Sequence, residues 1–141
     1  MVPTHNPSPR RAVSGLDSAR VAMVLAVLER RCGLGKLGNC DVYASTVGGM
    51  RITDPSADLA LALAVASAVR DQPVPAGTVL LGEVGLAGEV RRVAGAGRRL
   101  AEANRLGFTR GVVPRGVEGV PKGMKATEVT NVGQALSTLS R

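Results

Sequence analysis

From Asp54 to Arg70 the chain reads DPSADLALALAVASAVR, and no charge interrupts it between Leu59 and Val69. A helix over this stretch is apolar on every side, so it cannot lie on a surface and must be enclosed by other elements. Leu alternating with Ala would also fit a strand. Length, alanine content and the Asp-Pro start favour a helix through about Arg70. Asp54 can cap it, and Pro55 suits its first position, where a backbone N–H is not needed. The fold must therefore wrap around this segment.

The flanking pattern predicts what does the wrapping. Ser14 is expected to open a helix, with Asp17 as its capping-box partner, an apolar body from Val21 to Leu28, and Arg30 and Arg31 at the end. Gly33, Gly35 and Gly38 then break the chain. Asp41 to Val47 reads as a strand, Gly48-Gly49 as a kink or bulge, and Met50 to Thr53 as extended. Thr78 to Leu81 is a short buried strand. Glu83 to Val93, with Gly85 and Gly88, is a turn feeding another strand. A helix from about Gly95 to Leu106 ends on Gly107. Gly111 to Val113, stopped by Pro114, and Ala126 to Val129 are strands. Asn131 with Gln134 caps a last helix running to about Leu139. Mixed strands and helices define an α+β (mixed α/β) domain. It spans residues 12–141, behind a basic, Pro-rich flexible linker or extension over residues 1–11.

Aromatics make up 1% of the chain, Tyr43 and Phe108 alone, so Ala, Val and Leu must build the core. The same scarcity removes the stacking platforms on which single-stranded nucleic acid is held. Eighteen Lys and Arg against eleven Asp and Glu leave +7, an excess that favours phosphate-rich partners. Cys32 and Cys40 are too few for a disulfide framework and lack metal-ligand spacing, and His5 is the only histidine. No metal site is expected. No apolar run approaches the roughly 18 residues that span a bilayer, and no signal-peptide pattern opens the chain. A cytoplasmic protein with reduced thiols and no membrane partner is the expectation.

Chemistry could enter at Ser56, at the start of the central helix. The run GGMRITDPSAD, followed by GEVGLAGEV, resembles the proteolytic domain of Lon proteases. That domain carries its serine in an Asp-Gly-Pro-Ser-Ala-Gly run with a Gly-Glu strand behind it. From about Pro9 to Leu139 the order and spacing of SGLDSAR, VLAVLERR, DVYASTVGGMRI, DPSADLALALA and GEVGLAGEVRRV resemble the C-terminal Lon-like domain of the bacterial RadA (Sms) family more closely still. The resemblance implies a Lon proteolytic-domain-like fold, related to the second domain of ribosomal protein S5. It also implies a role in DNA recombination and repair.

A serine hydroxyl needs a base to take its proton, and the Lon base is a lysine after a Gly-Gly-Leu-Lys run. Matching the hydrophobic frame sets Val93 to Gly97 over that run, with Gly97 at the lysine position and Arg98-Arg99 following. Arginine stays protonated and cannot accept the proton. Ser56 then marks a nucleophile position without its partner, unless Lys36, Lys122 or Lys125 is brought within reach. The plain alternative is that Ser56 fills a first helical turn, with Asp58 complementing the helix dipole.

Gly33-Leu34-Gly35-Lys36-Leu37 resembles a phosphate-binding loop only superficially. Arg30 and Leu37 stand where a glycine and a Ser or Thr are required. ATP, Mg and Zn are thus expected only in other parts of a RadA-type protein, and none as cofactor of this chain. Arg91, Arg92, Arg98 and Arg99 are the DNA-binding candidates, with a solvated surface as the alternative. The resemblance implies a non-proteolytic scaffold that builds a homo-hexameric ring beside the ATPase domain. Such a scaffold would help a branch-migration helicase hold DNA, weakly and without sequence preference. Residual Ser-dependent peptidase activity and pure oligomerisation or protein docking are the alternatives.

Overall fold

Backbone pairing begins at the N-terminal side. The structure, a computed structural model, describes residues 2–3 and 10–139. Strand β1 (Val2–Pro3) runs antiparallel to β3 (Cys40–Ser45), and β2 (Arg11–Ser14) lies parallel to β3 on its other side. The rest of the Pro-rich lead falls outside the described residues.

The first helix starts later than its sequence suggests. Ser14 closes β2, Gly15 turns the chain at φ 80°, and α1 runs Ser18–Arg31. The cap is Asp17 itself, whose carboxylate accepts from the Ala19 N–H at 2.9 Å. Ser14 instead pairs in register with Ser45 of β3, and this pairing outweighed the capping-box pattern that Ser14 and Asp17 share. Two 3-10 turns flank β3, Gly35–Asn39 before it and Val47–Gly49 after it. Ile52 then bridges back to Leu16.

The central helix α2 (Asp58–Arg70) follows a 3-10 turn over Pro55–Ala57. Leu59, Ala62, Leu63 and Ala66 are fully enclosed, but Ala64 and Ala68 are exposed, so one alanine-lined face stays open and the helix is not surrounded on every side as its composition suggests. It runs alongside α1. Beyond it, β4 (Thr78–Leu80), β7 (Arg110–Pro114) and β8 (Lys125–Val129) form a parallel sheet in the order β4-β7-β8. A hairpin of β5 (Glu83–Val84) and β6 (Val90–Arg91) stands beside it. The remaining helices are α3 (Ala96–Arg105) and α4 (Val132–Leu136). Asn131 caps α4 as expected, but the helix stops at Leu136, where Ser137 turns its hydroxyl back to the Gln134 carbonyl.

Successive residues of β7 point to opposite faces, and the two faces bury different cores. Val112 joins the main core with α1, α2 and α4. Val113 joins a smaller one with Leu81, Leu100, Ala103 and Met124, under α3. The sheet is therefore covered on both sides.

Gly82 couples the hairpin to the central helix. Its N–H donates to the Ser56 carbonyl at 3.0 Å, and its own carbonyl accepts from the Leu59 N–H at 3.1 Å. A Cβ there would stand 2.7 Å from Val90 Cγ1. Any side chain there would press on Val90 across the hairpin, which is why glycine fits the position.

Candidate functional site

The first turn before α2 gathers the chemistry. Asp54 is extended (φ −69°, ψ 124°), and its carboxylate accepts from the Ser56 N–H at 2.9 Å. Ser56 is buried at 6% exposure. Its hydroxyl accepts a hydrogen bond from Arg99 Nη1 at 2.5 Å, while Arg99 Nη2 pairs with Asp54 Oδ2 at 2.9 Å. One guanidinium thus spans the serine and its capping aspartate. The Ser56 N–H, followed by Arg99, holds the Asp54 carboxyl below its ordinary range.

A second, deeper cluster lies one turn on. Asp58 is 3% exposed and accepts from both Nε and Nη2 of Arg20 in α1, one edge of the guanidinium, the Nε bond being 3.2 Å. It also accepts from the Val84 N–H at 3.1 Å. The hydrogen bond to Asp58 is the first cause that raises the Arg20 pKa above its ordinary value. One carboxylate therefore ties α1, α2 and β5 together. Sequence reasoning assigned Asp58 to the helix dipole and passed over Arg20. The signal was available: an acid directly before a wholly apolar helix needs a buried partner, and Arg20 is the one base in the first turns of α1.

Gly97, matched to the lysine position, lies in the first turn of α3, and a Cβ there would meet the Glu118 carbonyl at 3.0 Å and Gly119 Cα at 3.2 Å. Any side chain at this position would start out against that loop. The α3 side chain that does reach Ser56 belongs to Arg99. Lys36 sits in the 3-10 turn after α1, Lys122 in a turn, and Lys125 at the start of β8. Among the described residues, the hydrogen-bond partner of the Ser56 hydroxyl is Arg99.

The four arginines proposed for DNA do not form one surface of equivalent charges. Arg91 pairs with Glu89 at 3.0 Å, and Arg99 with Asp54. Arg92 lies against Gly116 and lines an open groove of about 360 Å³ with Gly95, Gly97 and Glu118. Arg98 is exposed on α3. Among the described residues, neither Arg92 nor Arg98 has an ion-pair partner. No cluster of His, Cys, Asp and Glu among the described residues is placed to share a metal ion. Cys32 and Cys40 are free thiols, with burial pushing the Cys32 thiol up. No helix of the described residues is long and apolar enough to cross a membrane.

The family described as "Subunit ChlI of Mg-chelatase" matches residues 48–117, from the turn after β3 through α3 into the loop after β7. Over 131 residues the chain is 57% identical to a DNA repair protein of Mycolicibacterium smegmatis, covering 93% of this chain and 28% of that protein. A Mycobacterium tuberculosis counterpart is 55% identical over 92% of the chain and 27% of its own length. One from Streptococcus pyogenes is 42% identical over 99% of the chain and 31% of its own length. The chain thus spans less than a third of these relatives. It is a mixed α/β domain corresponding to the C-terminal part of bacterial DNA repair proteins. Each of these three relatives is named DNA repair protein RadA, and the chain belongs to the RadA family.

Proposed function

We propose that this chain is the non-proteolytic, Lon-like scaffold of a RadA-type DNA repair ATPase in the bacterial cytoplasm. In this reading it supports a ring of subunits and touches DNA phosphates without reading sequence. The Arg99 guanidinium on the Ser56 hydroxyl carries the proposal. Activation of a serine requires an acceptor at that place. A guanidinium has donors only and stays charged at any physiological pH, so it holds the hydroxyl as an acceptor and takes no proton. Burial of Ser56 argues in the same direction, since a substrate carbonyl must approach the attacking oxygen. The excess of basic residues supports phosphate contact, with Arg92 and Arg98 the best placed of the candidates because neither is committed to an acid.

Incubating the chain with an unfolded protein substrate and with a serine-reactive probe tests this reading. No turnover and no labelling are expected. Labelling that Ser56→Ala abolishes would overturn it and favour the peptidase.

A further inference from the structure

The start of the three-stranded parallel sheet presents an arrangement that the scaffold role does not use. Register aligns Thr78 of β4 with Arg110 of β7, and Arg110 with Lys125 of β8. Two cations thus stand directly opposite each other on neighbouring strands, on one face. Like charges so placed repel and destabilise a sheet. Neither belongs to an ion pair among the described residues. Next to Arg110 in the row, Thr78 carries a buried side-chain oxygen that lacks a hydrogen-bond partner among the described residues. Leaving such a hydroxyl unpaired forfeits the hydrogen bonds it made to water before folding.

These three residues line one groove of about 320 Å³, together with Thr127, two positions along β8, and Thr138, just after α4. Thr138 spends its own hydroxyl on the Ala135 carbonyl at 2.7 Å, so it bounds the groove without competing for the cations. The pieces share one explanation. An oxyanion between Arg110 and Lys125 would relieve their repulsion and accept from donors of both, and the Thr78 hydroxyl could turn towards it. Planar guanidinium and compact ammonium together suit the oxygens of a phosphate group.

We propose that this groove is a phosphate-binding subsite, formed by Arg110, Lys125 and Thr78. Its occupant is a phosphate group, borne either by a nucleic-acid backbone or by a small phosphorylated compound. The subsite involves none of the arginines of β6 and α3, and it stands or falls separately from the scaffold reading.

The test uses the 141-residue chain and inorganic phosphate, titrated against chloride at constant ionic strength and followed by backbone amide shifts. Saturable shifts confined to the starts of β4, β7 and β8 are expected. Arg110→Gln with Lys125→Gln should weaken that binding at least about tenfold, and both positions are exposed, so the fold should persist. Thr78→Val preserves shape and removes the stranded hydroxyl. It should raise the unfolding midpoint while weakening phosphate several-fold, a combination that a purely structural threonine would not produce. A parallel loss of affinity for a short duplex without terminal phosphates would place a nucleic-acid backbone in the groove. Unchanged duplex affinity with lost phosphate binding would place a small phosphorylated compound there. Absence of a saturable shift, or parent affinity in the double variant, overturns the proposal. Parent affinity in Thr78→Val overturns the part given to the hydroxyl.

Discussion

Single residues at the start of the central helix differ widely in energetic weight, and burial decides which ones matter. The exposed pairs Arg91–Glu89 and Arg105–Glu102 are screened by water, so breaking either should leave stability nearly unchanged. Asp58 is different. Its removal strands the Val84 N–H inside the protein and leaves Arg20, only partly open to water, without its counter-charge. Asp58→Ala is therefore expected to cost about 2–3 kcal/mol. The check is the urea unfolding midpoint, with Arg105→Ala as reference. Equal midpoints for the two variants would show that the buried pair contributes nothing beyond an exposed one. Ser56 and Arg99 lie between these extremes, since the serine is buried and the guanidinium is not.

Elements whose formation depends on local pattern were legible in the sequence, and those that depend on distant pairing were not. The central helix, the glycine-ended α3 and the Asn131 cap all follow from residues within one or two turns, while Asp54 caps the 3-10 turn ahead of α2 rather than the helix itself. The start of α1 does not. SGLDSAR satisfies a capping pattern from Ser14, but pairing with β3, some thirty residues on, takes Ser14 into a strand. The same limit applies to the site. Asp54 and Ser56 could be read locally, and a buried acid at Asp58 pointed to Arg20, whereas Arg99 reaches Ser56 from another helix and no spacing in the sequence announces it. Gly82 is a further contact of this kind. Gly82→Ala should destabilise by about 1–3 kcal/mol through the collision with Val90. In a Val90→Ala background the same change should cost distinctly less. Additive costs in thermal or urea unfolding of the four proteins would mean that the close approach is not what requires glycine there.

At the scale of the whole molecule, the proposed role makes two demands on the surface. Assembly requires a head-to-tail interface that closes on itself, and Tyr43, Val47 and Met50 place exposed apolar side chains around the end of β3. Light scattering over a concentration series should show a single closed oligomer, with a hexamer expected. A strict monomer at the highest concentration would count against ring assembly by this chain alone. Duplex DNA should bind weakly and lose affinity steeply with salt, by about 0.9 log unit per log unit of salt for each phosphate contacted. Arg92→Ala with Arg98→Ala should flatten that slope more than Arg91→Ala with Arg99→Ala, because the second pair is already engaged by acids. The reverse order, read by fluorescence anisotropy, would remove the case for free arginines as the contact. The division of the interior into two cores also has a kinetic side. The helix α3 rests on the smaller of them, and its fully buried leucine is Leu100, while α2 sets Leu59, Ala62, Leu63 and Ala66 fully buried in the larger one. Amide hydrogens of α3 should therefore exchange with solvent through a partial opening that leaves those of α2 protected until global unfolding. Each such opening carries Arg99 away with it, so Ser56 is uncovered only in brief excursions, on the clock of one loosely seated helix.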